Sequence, residues 1–255
     1  MAADAAILSL RGVARSFGGI QAVDDCTFEV PPGLITGLIG PNGAGKTTVF
    51  NLITGFLGAD RGSILLQGRE LLGLPPYRVE RLGVARTFQH LRLWNKMTVL
   101  EHLLLGCATP AGENVFSLFL RAGAVRAEER RARERAMQVL EFFGLAERAH
   151  DLAEDLAYPE QKLLSMARIF ATDAPVLLLD EPTSGLDSES LRRIVPMVRR
   201  LVEHGKTVLL IEHNMQLISE LSDRVVFLHQ GRVLAAGSPA QITRDPALTE
   251  IYFGV

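Results

Sequence analysis

The sequence predicts an α/β fold: a mostly parallel sheet, an antiparallel β subdomain and an inserted α-helical subdomain. Three observations carry that expectation. Val176 to Leu179 and Val208 to Ile211 are near-continuous apolar runs, as expected of parallel strands buried on both faces. The apolar run Leu34 to Ile39 leads directly into Gly40-Pro41-Asn42-Gly43-Ala44-Gly45-Lys46-Thr47, and Thr48 to Ile53 reads as the following helix. Residues about 90–160 then change character: Thr98-Val99-Leu100-Glu101 is a capping box that opens one helix, and Glu128 to Phe143 forms another that stops at Gly144.

The remaining elements follow in order. Residues 6–39 alternate strand-like runs with the turn signals Gly18-Gly19 and Pro31-Pro32-Gly33, which predicts an antiparallel flap leading into the central strand. The helical block spans 90–161 and splits a core formed by 1–89 and 162–255, all within a single domain of 255 residues. Arg121 to Arg135 is rich in Arg and Glu and reads as a solvated helix face.

Composition limits the function classes. With 27 Lys+Arg against 29 Asp+Glu the net charge is −2, so there is no global basic field to capture nucleic acid. No apolar stretch reaches the roughly 20 residues needed to cross a bilayer, and Asp4 and Arg11 break any signal-peptide pattern at the start. Cys26 and Cys107 read as reduced, small hydrophobes in a reducing compartment.

The run Gly40 to Thr47 fits G-x-x-x-x-G-K-[ST] at every fixed position, and strand, loop and helix come in the order this motif requires. Its glycines let successive amide N–H groups converge on a phosphate, Lys46 adds a mobile positive charge, and Thr47 is placed to offer its hydroxyl to a magnesium ion. The fold is therefore that of a P-loop nucleotide hydrolase core. At the carboxyl end of the strand Val176 to Leu179 stand Asp180 and Glu181, where open α/β sheets put their ligands. Asp180 is expected to reach the magnesium, and Glu181, pointed differently, to polarise an attacking water.

Asp180-Glu181-Pro182-Thr183-Ser184-Gly185-Leu186-Asp187 resembles the Walker B and D-loop run of ABC-type ATPases, and the likeness covers nearly the whole chain. The resemblance implies bound ATP and Mg²⁺, held in part by Asn42, Gly43, Ala44, Gly45, Lys46, Thr47 and Thr48, with Thr47, Gln89 and Asp180 toward the metal. It implies further roles for Gln89, after Val84 to Phe88, as the metal- and water-binding hinge and for His213 as the switch histidine. Phe17 falls where an aromatic residue stacks on adenine, although an aromatic there also serves simple packing. The implied catalytic set is Lys46, Gln89, Glu181 and His213.

Arg86-Thr87-Phe88-Gln89-His90-Leu91-Arg92-Leu93, the extended helical insertion and the ending Ile251-Tyr252-Phe253-Gly254 resemble the ATP-binding subunits of branched-chain amino acid importers. That resemblance implies an ATPase of two cassettes beneath membrane permease subunits, on the cytoplasmic face of the inner membrane, fed indirectly by a periplasmic binding protein. Leu93 and Trp94 are then either part of the groove for a permease coupling helix or ordinary helix-to-core packing. A cassette of a lipopolysaccharide-type exporter, a soluble cassette acting on ribosomes or DNA, and an ATP-gated partner that barely hydrolyses are the rival readings.

The chain departs from the ABC pattern at the signature motif, usually Leu-Ser-Gly-Gly-Gln, which binds the γ-phosphate held by the opposite subunit. The matching run is Leu156-Ala157-Tyr158-Pro159-Glu160: Ala157 lacks the hydroxyl and Pro159 lacks a backbone N–H. The expectation is an asymmetric pair in which a different cassette completes the Lys46/Glu181 site, while Ala157, Tyr158, Pro159 and Glu160 face a weaker one.

Overall fold

The computed structural model describes residues 6–89, 91–107 and 122–253. His90, Arg121 and Gly254, parts of motifs read above, lie outside the described residues. Two compact units divide the chain: Met1–Gln89 with Ala174–Val255, and His90–Asp173.

In the first unit, β1 (Leu8–Phe17) and β2 (Ile20–Val30) form an antiparallel hairpin across the Gly18-Gly19 turn. They join β4 (Arg61–Leu66) and β5 (Arg69–Glu70) in a four-stranded sheet of order β2-β1-β4-β5. The second sheet has the order β10-β9-β3-β8-β7-β6. It is built from β3 (Ile35–Ile39), β6 (Val84–Arg86), β7 (Val176–Asp180), β8 (Thr207–Ile211), β9 (Arg224–His229) and the antiparallel edge strand β10 (Arg232–Gly237). All five residues of β3, β7 and β8 are buried, the pattern of central parallel strands covered on both faces.

Helix α1 (Lys46–Ile53) buries Val49, Phe50, Leu52 and Ile53 in a core shared with Leu10, Val13 and Ile64 of the antiparallel sheet and Leu38, Leu178 and Leu209 of the parallel one. The phosphate-loop helix is thus held from two sides. Fully burying an aliphatic or Phe side chain contributes about 1.5–3 kcal/mol. The unit also contains α2 (Pro76–Leu82), and the later helices described below.

The second unit contains α3 (Val99–Gly106), α4 (Ala122–Phe143) and α5 (Tyr158–Ala171). The capping box at α3 is complete: Glu101 N donates to Thr98 Oγ1 at 3.2 Å, and Thr98 N to the Glu101 carboxylate at 2.7 Å. Helix α4 begins at Ala122, six residues ahead of the start read from sequence, and ends where Gly144 takes φ 69°. Phe142 stacks on Phe170 at 5.1 Å, and Phe143 meets the same ring edge-on. This packing ties α5 to the helical unit, so that unit runs to Asp173 rather than ending at 161.

Past β7 the first unit continues with α6 (Ser188–Glu203), α7 (Met215–Leu221), α8 (Pro239–Arg244) and α9 (Pro246–Phe253). Among the described residues, no helix is long and apolar enough to cross a membrane. Both cysteines are buried and unbridged, and burial pushes the Cys26 thiol up to about 12.

Candidate functional site

Strand register brings the polar residues to one edge of the parallel sheet. Ile211 pairs with Leu38 on one side and with Asp180 on the other, so the residues after β3, β7 and β8 all emerge at the carboxyl end. This is the edge at which α/β sheets hold ligands. A cleft of about 340 Å³ opens there, lined by Asn42, Gly43, Ala44, Gly45, Lys46, Thr47 and Thr48 of the loop together with Gln89, Glu181 and His213. Ala22 of β2 completes the lining and was not foreseen from sequence.

Two glycines in this loop are obligatory. A Cβ on Gly40, at φ 150°, would stand 1.9 Å from the Leu228 carbonyl oxygen; one on Gly45, at φ 101°, would stand 2.4 Å from that of Ala22. The Lys46 side chain is buried and its Nζ donates to the Gly40 and Pro41 carbonyls at 2.7 and 2.9 Å. Burial pulls the Lys46 ammonium below its ordinary range, and the nearby Glu181 and Asp180 pull it back up.

Glu181 is the hub of the acidic side. Gln89 Nε2 donates to its Oε2 at 2.9 Å, and His213 Nε2 lies 2.5 Å from its Oε1. Its backbone sits at φ 49°, in the left-handed region, and its N–H is anchored to the Ile211 carbonyl at 3.0 Å. A non-glycine residue there costs about 1–3 kcal/mol and persists because its surroundings fix it, a pattern common at functional sites. Next to it, Thr183 donates from both N and Oγ1 to the buried Glu212 carboxylate, at 3.0 and 2.6 Å. Burial raises the Glu212 carboxyl above its ordinary value, and those hydrogen bonds partly offset the rise.

Asp180 does not line the cleft. Its carboxylate is buried and accepts from Arg86 Nη2 at 2.7 Å, while its own N–H donates to Thr87 Oγ1 at 3.1 Å. Arg86 also donates to Asn51 Oδ1 at 2.6 Å and lies 5.2 Å from the Phe50 and Phe88 rings. Reading single residues missed this arginine as a positioning group for Asp180. Its only signal was a charge at the end of a short apolar strand, Val84-Ala85-Arg86.

Phe17 is also outside the lining residues; it is half-exposed at the end of β1, and the Arg15 guanidinium lies over its ring at 5.0 Å. In the helical unit, Trp94 is 54% exposed and is flanked by Arg168, 5.4 Å from its ring. Its backbone N–H donates to His102 Nε2 at 3.0 Å, and the indole lies 5.8 Å from the ring of that buried histidine. At the signature position Ala157 is the cap of α5 and Pro159 lies in its first turn. The Glu160 carboxylate turns back to accept from Ala157 N at 3.0 Å.

A glycine-rich loop that opens a helix, a buried lysine in it, and an acid between a glutamine and a histidine at the neighbouring strand ends together define a nucleotide-binding cassette. The family model for ABC transporters matches residues 23–184, and the chain belongs to that family. It is 42% identical over 249 residues to the high-affinity branched-chain amino acid transport ATP-binding protein LivG of Escherichia coli K12, covering 97% of this chain and 98% of that one. It is 41% identical to BraF of Pseudomonas aeruginosa, of the same description, over 251 residues with the same coverage. Among solved structures, a nucleotide-free ATP-binding cassette from an ABC transporter matches with TM-score 0.84 and 31% identity, covering 97% of this chain and 99% of that one. The ADP conformation of such a cassette matches with the same TM-score at 30% identity, covering 98% and 100%.

Proposed function

We propose that this chain is the ATP-binding and hydrolysing subunit of an ABC importer for branched-chain amino acids or a related small solute. It works as one of two cassettes beneath membrane permease subunits, on the cytoplasmic face, with a periplasmic binding protein supplying the solute. One observation carries the reading: the phosphate loop, Lys46, Gln89, Glu181 and His213 line one cleft. The names of the relatives support the solute class and the role.

Phosphate oxygens would replace the Gly40 and Pro41 carbonyls on Lys46, whose charge then stabilises the transferring group. Glu181 accepts the proton of the attacking water, with Gln89 and His213 already holding its two oxygens in place. His213, in the same lining, would also meet the γ-phosphate. Thr47 and Gln89 would offer oxygen ligands toward a metal from the cleft, while Asp180, outside the lining and paired with Arg86, would act on it through water; among the described residues no cluster of His, Cys, Asp or Glu could hold a metal alone. Oxygen donors of this kind suit Mg²⁺ arriving with the nucleotide, which would supply positive charge against the phosphates.

The turn at Ala157 to Glu160 favours a mixed pair of cassettes, because it lacks two donors expected at the partner's nucleotide. Two losses at about 1.5–3 kcal/mol each would weaken that site by about two to four powers of ten. The assembled importer is tested in lipid: binding protein loaded with leucine is expected to stimulate hydrolysis. Absence of stimulation by any branched-chain amino acid would overturn the solute class. Glu181→Gln is expected to retain ATP and lose about 10²–10⁴-fold in hydrolysis, and unaltered turnover would remove Glu181 as the base.

A further inference from the structure

We infer that Tyr252, in the carboxyl-terminal helix α9, is a positioning residue for the switch histidine, acting through the backbone of His213. The inference rests on the proposed role of His213.

His213 sits on a very short connection. Strand β8 ends at Ile211, and Asn214 already caps α7 by accepting from Gln216 N at 2.9 Å, so only Glu212 and His213 lie between them. Both backbone ends of His213 are held. Its N–H donates to Glu212 Oε2 at 3.3 Å, a long contact, whereas its carbonyl accepts from the Tyr252 hydroxyl at 2.6 Å, a short one. The stronger of the two restraints therefore comes from a helix some forty residues further along the chain. The Tyr252 ring is fixed independently of its hydroxyl by edge contact with Phe227 of β9, centroids 6.2 Å apart. Burial raises the Tyr252 phenol above its ordinary value.

The imidazole must meet Glu181 on one side and a phosphate on the other, a task in which small errors of placement are costly. Fixing the carbonyl of His213 limits the swing of its side chain to rotation about its own bonds. This gives a physical use to the Ile251-Tyr252 ending, which the sequence offered only as a mark of resemblance.

Tyr252→Phe deletes the hydroxyl and keeps the ring against Phe227. In the assembled transporter it is expected to lower kcat about tenfold, the equivalent of one hydrogen bond, with KM for ATP changed less than about twofold. Amide exchange over residues 212–214 is expected to quicken in the same variant. Added to His213→Ala, Tyr252→Phe should cost nothing more, since its effect passes through the imidazole. Wild-type kcat with unchanged exchange in Tyr252→Phe would overturn the inference, as would an equal loss in both backgrounds. A wild-type assembly that does not hydrolyse ATP would instead refute the function proposed above, and the exchange measurement would still decide whether the clamp exists.

Discussion

Helix α1 begins at Gly45 with no side-chain cap and no acid in its first turn, whereas α5 begins at Ala157 with Glu160 folded back onto the cap amide. Both are helix N-termini, where unsatisfied N–H groups and the helix dipole attract anions. The difference lies in what the chain itself does with those groups. In α1 the donors are left for a ligand, and among the described residues the one acid that lines the cleft with them is Glu181, at a neighbouring strand end. In α5 a proline removes one donor and a glutamate engages another. Helix α3 extends the series: its capping box is closed in both directions, and nothing is left over for a ligand. The lesson is that a helix start becomes a phosphate site by omission, through glycines and the absence of internal acceptors, as much as by the lysine that follows.

The comparison can be broken at several points. The largest expected effect comes from Arg86→Met, which strands Asp180 in a site where both side chains are nearly fully buried. Removing one partner of a buried pair costs about 3–5 kcal/mol, so chemical denaturation is expected to show that loss, with nucleotide protection reduced as Asp180 reorients. A stability equal to wild type would mean that Arg86 does not hold Asp180. Next in size, Ala157→Ser with Tyr158→Gly and Pro159→Gly reopens the α5 terminus. Turnover of the assembled cassettes should then rise by about tenfold or more, at one recovered charge-assisted contact or better. No change would show that the terminus does not limit the cycle.

The smallest effect is expected at α3. Hydrogen bonds from Thr98 hold the Glu101 carboxyl below its ordinary value. A depressed carboxyl stabilises the fold above its unfolded value and loses that contribution as pH falls through the folded one. Melting curves taken from pH 7 down to pH 3 should therefore show acid sensitivity that Thr98→Ala reduces. Identical pH profiles would detach the capping box from stability.

Much of this was legible in the sequence for physical reasons. The central strands read as apolar runs because both faces are covered, and the phosphate loop read as a motif because the close backbone approach at Gly40 and Gly45 admits no other residue. The hairpins β4–β5 and β9–β10 were not read. Their two-residue turns, Gln67-Gly68 and Gln230-Gly231, put glutamine at φ 49° and 48°, where Asn or Asp is the usual turn signal. Strand β10 alternates half-buried and exposed residues at a sheet edge, so it lacks the apolar density that marked its neighbours. At the site, Glu181 was legible as an acid at a strand end, whereas Gln89 and His213 stood out only through the family resemblance. Arg86, Ala22 and the Tyr252 clamp were not legible, because each acts through a contact with residues distant in sequence.

The central claim is that the glycine loop and the acidic strand ends form one nucleotide pocket. Calorimetric titration of the full chain with Mg-ATP tests it most directly, run beside Lys46→Ala. The account predicts a saturable binding heat in the wild type and an affinity lower by about 10–100-fold in the variant, the equivalent of one charge-assisted contact. A flat trace in the wild type, or equal affinities in the two proteins, would contradict it.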